Sequence, residues 1–288
     1  MLLRSYAKVN LCLAVSPPEP AGGPRAGWHR IVSWFHAIDL CDDIEIERAD
    51  ATAYERAWAA DAPRPTPIDW PEEADLMVRA HHALEAHIGR ALPIRLRARK
   101  RIPTGGGLAG GSSNAAAVLM GVAALYDFGL DIETLRALSR PLGSDVAYFL
   151  CAGDGPPAPA LVSGFGAIIE PAAAASGTVH LVLPPFGCQT PAVYKAFDTL
   201  APRPFMEDAA RALSITGGAP REWESSLFND LGPAAEAVEP RLANMRKAME
   251  RAGHRVHMTG SGSTLFTVGE RAPEAFGGCV VVATRLRG

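Results

Sequence analysis

Nothing in these 288 residues approaches the ~20 consecutive apolar positions that a membrane span requires. The opening Met-Leu-Leu-Arg-Ser-Tyr lacks the layout of a signal peptide. Cysteine is sparse: Cys12, Cys41, Cys151, Cys188 and Cys279 are scattered, odd in number and never spaced Cys-x-x-Cys. That pattern indicates neither a zinc site nor a disulfide framework and fits reduced thiols in a cytoplasm. Basic excess is missing as well. The net charge is −3, which gives no reason to expect a nucleic-acid partner. No internal repeat is visible. What the chain does have is apolar content, 48% of its residues, enough for a real core in one large domain or two smaller ones.

The most informative stretch is Pro103-Thr104-Gly105-Gly106-Gly107-Leu108-Ala109-Gly110-Gly111-Ser112-Ser113-Asn114. Its glycines free the backbone to take positive φ and to approach a ligand closely. The small, helix-compatible residues that follow predict a helix from Asn114 to Asp127, with Ser112 or Ser113 as its cap. A helix start offers unpaired N–H groups and the positive end of a dipole, so the stretch reads as an anion site, most naturally for phosphate. A Walker A loop ends in Gly-Lys-Ser/Thr, and no lysine stands there. The spacing of Gly105, Gly107 and Gly110 satisfies G-x-G-x-x-G, the dinucleotide fingerprint. However, the preceding Ile94 to Ile102 alternates apolar with basic residues. That is a half-exposed antiparallel strand, not a buried parallel one, and its arginines read as a solvated face. The H-R-D and D-F-G partners of protein kinases are absent.

Along the chain, Tyr6 to Val15 reads as a strand with Lys8 and Asn10 on one face. Ser16 to Gly27 is a Pro/Gly loop before Trp28-His29. Ile31 to Leu40 is a strand, followed by a turn at Asp42-Asp43 and a second strand through Ile44 and Ile46. Ala51 to Pro71 is poorly patterned and reads as an irregular excursion. A helix runs from Asp75 through His87. His81, His82 and His87 lack partners at ligand spacing and read as helix surface. Ile132 to Arg140 is helical, and Asp145 follows a glycine turn, where an aspartate serves as an N-cap or turn residue. Cys151 to Pro159 is a loop. His180 to Pro184 is a strand, Thr190 caps a helix with Pro191 at its first position, and Pro240 to Ala252 is a helix ending at Gly253. His257 to Phe266 is strand, glycine turn, strand.

Four motifs stand in order: Ala7-Lys8-x-Asn10, the glycine loop, Gly143-Ser144-Asp145-Val146 and Gly260-Ser261-Gly262-Ser263. Together they resemble the GHMP small-molecule kinases, which include galactokinase, homoserine kinase and mevalonate kinase. The resemblance implies an α+β fold. Its N-terminal subdomain is ribosomal-protein-S5-domain-2-like over 1–155 and its C-terminal one ferredoxin-like over 156–288, with the active site in the cleft between them. It implies ATP as co-substrate, with Mg2+, in a cytoplasmic enzyme that is a monomer or weak homodimer and binds neither nucleic acid nor membrane. The implied ATP site comprises Pro103, Gly105, Gly106, Gly107, Leu108, Ala109, Gly110, Gly111, Ser112, Ser113 and Asn114, with Lys100 before the loop and Asp75 near the adenine. Ser112 is the candidate magnesium ligand. Lys8 and Asp145 are the implied catalytic pair, Asp145 accepting the proton of the attacking hydroxyl.

The same resemblance implies that Asn10 faces the substrate. Trp28, His29, Thr190 and Tyr194 would form a pocket for a cytosine base, with Tyr194 facing Trp28 across it. The acceptor would be a cytidine diphosphate-linked polyol. Read without the family, Lys8 is a surface lysine, Asp75 a helix N-terminal charge and Trp28-His29 ordinary packing. Two alternatives stand beside this reading. One is a homoserine- or mevalonate-type kinase, whose small anionic substrates want an Arg or Lys rather than an aromatic pair. The other is a non-catalytic nucleotide-binding protein, which has no need of both Lys8 and Asp145.

Overall fold

The computed structural model describes residues 1–150, 155–200 and 203–287; Cys151 and part of the loop expected around it lie outside them. The elements follow in chain order. Strands β1 (Leu2–Pro18), β2 (His29–Arg48) and β3 (Ala53–Trp58) precede helix α1 (Leu76–Ile88) and strand β4 (Ile94–Lys100). Helices α2 (Gly110–Leu125), α3 (Ile132–Ser139) and α4 (Val146–Phe149) come next, then strands β5 (Ala160–Gly164), β6 (Ile168–Pro171) and β7 (Thr178–Leu183). Helices α5 (Thr190–Phe197), α6 (Glu207–Ser214) and α7 (Pro220–Trp223) lead to the short strand β8 (Phe228–Asn229). The chain ends with α8 (Gly232–Val238), α9 (Pro240–Arg251), β9 (His257–Met258), β10 (Leu265–Val268) and β11 (Val280–Arg287).

These elements form two compact units, each discontinuous in sequence. The first comprises 1–7, 40–103 and 109–157; the second comprises 8–39, 104–108 and 158–288. In the first unit, β4 pairs antiparallel with residues 43–48 of β2 and parallel with β3. Burial along β4 alternates as its sequence requires. Ile94, Leu96, Ala98 and Lys100 point inward, while Arg95 and Arg97 pair with Glu47, Glu45 and Glu55 on the open face. Ile44, Ile46, Met77, Leu84, Leu119 and Val122 are all buried here.

Two expectations are corrected in this unit. Asp42-Asp43 is not a turn, because β2 runs straight through it. Asp42 shares the inward face with Ile44 and Ile46, and four hydrogen bonds, detailed below, satisfy its carboxylate there. Ala51 to Pro71 is not wholly irregular, since β3 lies within it, held by backbone pairing to β4 that its composition does not advertise.

In the second unit, residues 31–35 of β2 pair with β5 and residues 37–38 with β11. Beyond that, β11, β7, β10 and β9 form an antiparallel succession. Helices α5, α8 and α9 cover a core that includes Val182, Val193, Leu231, Leu242, Met249 and Leu265. His36 of β2 is fully buried in this unit. The Ala175 backbone N–H donates to its Nε2 at 2.9 Å, so Nδ1 carries the proton and donates to the Arg287 carbonyl at 3.1 Å. Burial pushes the His36 pKa down from 6.5 to about 4.

The folded chain therefore holds His36 neutral while the unfolded chain takes up a proton near pH 6.5. Below that pH the unfolded state binds more protons, so stability falls as pH drops from 6.5 toward about 4, by at most about 1.4 kcal/mol per pH unit. Urea unfolding across this window is expected to lose only the His36 share of its pH dependence in His36→Gln, because burial also lowers the pKa values of His81 and His180. An unchanged slope in the variant would remove His36 from the account.

Candidate active site

The glycine stretch is anchored from beneath at its entry. Asp42 is wholly buried, and its Oδ1 accepts the backbone N–H groups of Arg101 at 2.6 Å and Ile102 at 2.8 Å. Its Oδ2 accepts Lys100 Nζ at 2.7 Å and Asn114 Nδ2 at 3.0 Å. Lys100 also donates to Asn114 Oδ1 at 2.9 Å. Ser5 Oγ donates to Ser113 Oγ at 2.7 Å and accepts from Asn114 Nδ2 at 2.8 Å. The side chains of Lys100, Ser113 and Asn114 are thus buried and taken up by protein partners. Period-two alternation turns Lys100 inward, and Ser113 and Asn114 lie on the core face of α2.

Asp75 is likewise engaged by protein partners. Its Oδ1 accepts from Met77 N at 2.9 Å, capping α1, and its Oδ2 accepts from Trp70 Nε1 at 2.9 Å and Arg56 Nη1 at 3.2 Å. The helix-charge reading of Asp75 holds, and its oxygens are occupied.

Helix α2 begins at Gly110, four residues earlier than expected, and no serine caps it. Its cap is Ala109, a non-glycine residue at φ +56°, which turns the chain abruptly from loop to helix. The first-turn N–H groups of Gly110 to Ser112 have no intrahelical partner, a geometry that suits an anion. Ser112 is half-buried, and its hydroxyl faces the turn at Gly143, 3.9 Å from where a Cβ would stand. Asp145 follows in that turn at the cap position of α4. Its side chain makes no capping bond and accepts from Ser144 Oγ at 3.3 Å. Ser112 and Asp145 thus lie on neighbouring segments of one unit. Both offer oxygen donors, the type a magnesium ion takes.

In the other unit, Lys8 of β1 is buried, and its Nζ donates to Asn10 Oδ1 at 2.6 Å and to the Gly107 carbonyl at 3.0 Å. The ammonium also lies 4.8 Å from the Phe35 ring centre. Asn10 is buried in turn. Its Oδ1 further accepts Thr259 Oγ1 at 3.0 Å and Gly260 N at 2.8 Å, and its Nδ2 donates to Ser33 Oγ at 2.8 Å. The carboxamide expected to face substrate is therefore occupied within the protein, where it holds Lys8 against the glycine loop. Gly107 and Gly260 meet backbone to backbone. A Cβ on Gly107, at φ +75°, would lie 2.3 Å from the Thr259 carbonyl oxygen, and one on Gly260 would lie 3.1 Å from Gly107 Cα. The turn that begins at Gly260 thus braces the glycine loop.

The base-side residues divide. Trp28 is 59% exposed and lies edge-on to Phe165, ring centres 6.1 Å apart. The ring beside Tyr194 is instead that of His29, 5.1 Å away. His29 Nδ1 lies 2.8 Å from the Ser16 carbonyl oxygen and Nε2 3.3 Å from Asp198 Oδ1. Thr190 does not cap α5; it is the first helical residue after Gln189, and its Oγ1 bonds Ser261 Oγ at 2.8 Å. Sequence reasoning missed Asp42, Thr259 and Asp198 as contributors. Only Asp42 left a signal, an acid two residues before Ile44 in an inward-facing series.

The close backbone contact predicts graded effects. Gly107→Ala is expected to cost about 2–4 kcal/mol in chemical denaturation, from collision and backbone strain together. Gly105→Ala meets open space at φ +67° and is expected to cost only the strain, about 1–2 kcal/mol. Asp42→Ala, which strands Lys100 as a buried unpaired charge, is expected to cost about 3–5 kcal/mol.

Residues 75–153 match the family model for the GHMP kinases N terminal domain, and residues 206–280 that for the GHMP kinases C terminal domain. A 4-diphosphocytidyl-2-C-methyl-D-erythritol kinase of Thermobifida fusca is 35% identical over 95% of this chain and 88% of that protein. A protein of the same name from Nocardia farcinica is 34% identical over 100% of this chain and 90% of its own length. Among solved structures, a 4-(cytidine 5'-diphospho)-2C-methyl-D-erythritol kinase superposes with a TM-score of 0.74 at 30% identity, over the full length of both chains. A Methanococcus jannaschii mevalonate kinase reaches 0.65 at 13% identity, a likeness of fold. The chain therefore belongs to the GHMP kinases and, among them, to the family of the 4-diphosphocytidyl-2-C-methyl-D-erythritol kinases.

Proposed function

We propose that the chain transfers the γ-phosphoryl of ATP to the 2-hydroxyl of 4-diphosphocytidyl-2-C-methyl-D-erythritol, releasing ADP, in the supply of isoprenoid precursors. The observation that carries this reading is the 35% identity to the Thermobifida fusca kinase across nearly the whole chain. Phosphoryl transfer asks a protein for alignment and charge neutralisation more than for covalent chemistry. The free N–H groups at the start of α2, with the loop from Thr104 to Gly111, suit the ATP phosphates. Ser112 would hold the magnesium ion together with phosphate oxygens. When bound, that ion neutralises charge developing on the transferred group.

Asp145 serves as the base that takes the proton from the attacking hydroxyl. Lys8 orients that hydroxyl and offsets negative charge, and Asn10 and the Gly107 carbonyl hold its ammonium in place. The acceptor is a crowded tertiary alcohol, so a fixed approach counts for more than intrinsic nucleophilicity. The aromatic and imidazole groups around Tyr194 suit a flat base rather than the small anion of homoserine- or mevalonate-type substrates. The scattered cysteines support a cytoplasmic enzyme.

The test is ADP release by the purified protein with ATP, magnesium and the cytidyl alcohol, beside homoserine and mevalonate. Turnover is expected with the cytidyl alcohol alone. Asp145→Asn is expected to lower kcat by about 10²- to 10⁴-fold while leaving ATP affinity nearly unchanged. Near wild-type turnover in that variant would defeat the proposed base, and activity on homoserine instead would defeat the substrate.

A further inference from the structure

We propose that Thr259 is a positioning residue for Lys8, its hydroxyl fixing the two oxygens on which the ammonium rests. The assignment deepens the phosphoryl transfer proposed above, in which Lys8 orients the attacking hydroxyl. Lys8 Nζ donates to Asn10 Oδ1 at 2.6 Å, on β1, and to the Gly107 carbonyl at 3.0 Å, on the glycine loop. A buried ammonium takes its place from its acceptors, so whatever sets their spacing sets Lys8. Thr259 Oγ1 reaches both of them. It stands 3.0 Å from Asn10 Oδ1 and 3.3 Å from the Gly107 carbonyl oxygen, and it accepts the Asn10 backbone N–H at 3.0 Å. That N–H engages a lone pair of the hydroxyl, so the single hydroxyl proton turns toward the two oxygens that Lys8 also uses. The hydroxyl therefore ties the strand to the loop at the point where the ammonium sits.

The threonine itself has little freedom. It is wholly buried. Its N–H donates to the Thr264 carbonyl at 3.2 Å, and its own carbonyl accepts Gly262 N at 3.0 Å. The branched Cβ restricts χ1 as well. Asn10 is constrained at its other end, because Nδ2 donates to Ser33 Oγ, which donates in turn to the Cys12 carbonyl. The carboxamide thus keeps Oδ1 toward Lys8 and Thr259. A valine in place of Thr259 has nearly the same shape but neither donates nor accepts. It strands the Asn10 N–H and cuts the link between Asn10 and Gly107 through the hydroxyl, so the two acceptors of Lys8 can drift apart.

The experiment labels the lysine side-chain nitrogens isotopically and reads their ammonium signals by NMR, beside steady-state kinetics. The variants are Thr259→Val, Thr259→Ser and Lys8→Met, with Thr259→Ala in place of the valine variant should that one not fold. The chain has four lysines, so signals are few: Lys8 and Lys100 are buried, whereas Lys195 and Lys247 are exposed. In the wild type, Lys8 is expected to give a signal protected from exchange with water, as Lys100 does, and Lys8→Met identifies it by its loss. In Thr259→Val the Lys8 signal is expected to shift or broaden while that of Lys100 stays in place, and Thr259→Ser is expected to retain it. With ATP and the cytidyl alcohol, Thr259→Val is expected to lower kcat and kcat/KM together by about 10- to 100-fold at an unchanged KM for ATP. In a Lys8→Met background the same change is expected to cause no further loss. Four results would each overturn the assignment: a wild-type Lys8 signal that exchanges like those of the exposed lysines, a Lys8 signal unmoved in Thr259→Val, a loss carried by the KM for ATP, or a loss that adds to that of Lys8→Met. A chain whose Lys8 signal depends on Thr259 yet leaves the cytidyl alcohol unphosphorylated refutes the proposed activity and not the placement of the ammonium.

Discussion

Two stretches of backbone, Gly106 to Leu108 and Thr259 to Gly260, approach each other with no room for a side chain between them. A methyl group on Gly107 would lie 2.3 Å from the Thr259 carbonyl oxygen, a separation that packed atoms do not tolerate. Hydrogen bonds span the same gap: Thr264 N donates to the Gly106 carbonyl and Lys8 N to the Leu108 carbonyl. Asn10 binds both sides through Lys8, Thr259 and Gly260. The loop's shape is therefore imposed by a neighbour distant in sequence. A free Gly-rich segment would sample many conformations, at an entropic cost on binding a phosphate chain. Here that cost is met on folding, and the loop is pre-arranged.

A second restraint acts where the loop begins. Asp42 accepts four hydrogen bonds, two from the backbone immediately before Pro103 and two from Lys100 and Asn114. Buried ion pairs add little net stability, because desolvation offsets their attraction. Their geometric effect is stronger. A carboxylate with every lone pair engaged permits one arrangement of the chain around it. The strand end, the loop entry and the first turn of α2 are tied to a single side chain in this way.

The base side follows the same logic with different chemistry. His29 is packed against the rings of Tyr194 and Phe197, with Nδ1 on the Ser16 carbonyl oxygen and Nε2 near the Asp198 carboxylate. Across the described residues, Asn10, Asn114 and His29, which sequence motifs single out for ligand contact, also bond protein groups. Motif residues occur together both because ligands need them and because the groups that touch ligands need fixed supports.

Read alone, the chain determined a good deal. Alternation in β4 is a local property of the strand and was legible directly. The glycine-to-helix passage, the order of the four motifs and the family's fold were legible because each depends on residue type and spacing. Tertiary structure decided the rest. For Lys100, Asp75 and Asn114, the protein partners Asp42, Arg56 and Ser5 come from elsewhere in the sequence and are brought near by strand register and helix packing. The strand β3 was invisible because a parallel edge pairing draws on its neighbour rather than on its own composition. The start of α2 was misplaced because the left-handed turn at Ala109 is enforced by the loop around it, against the preference of the residue. Local pattern specifies which groups are available; only long-range packing determines which of them remain unpaired and can face a ligand.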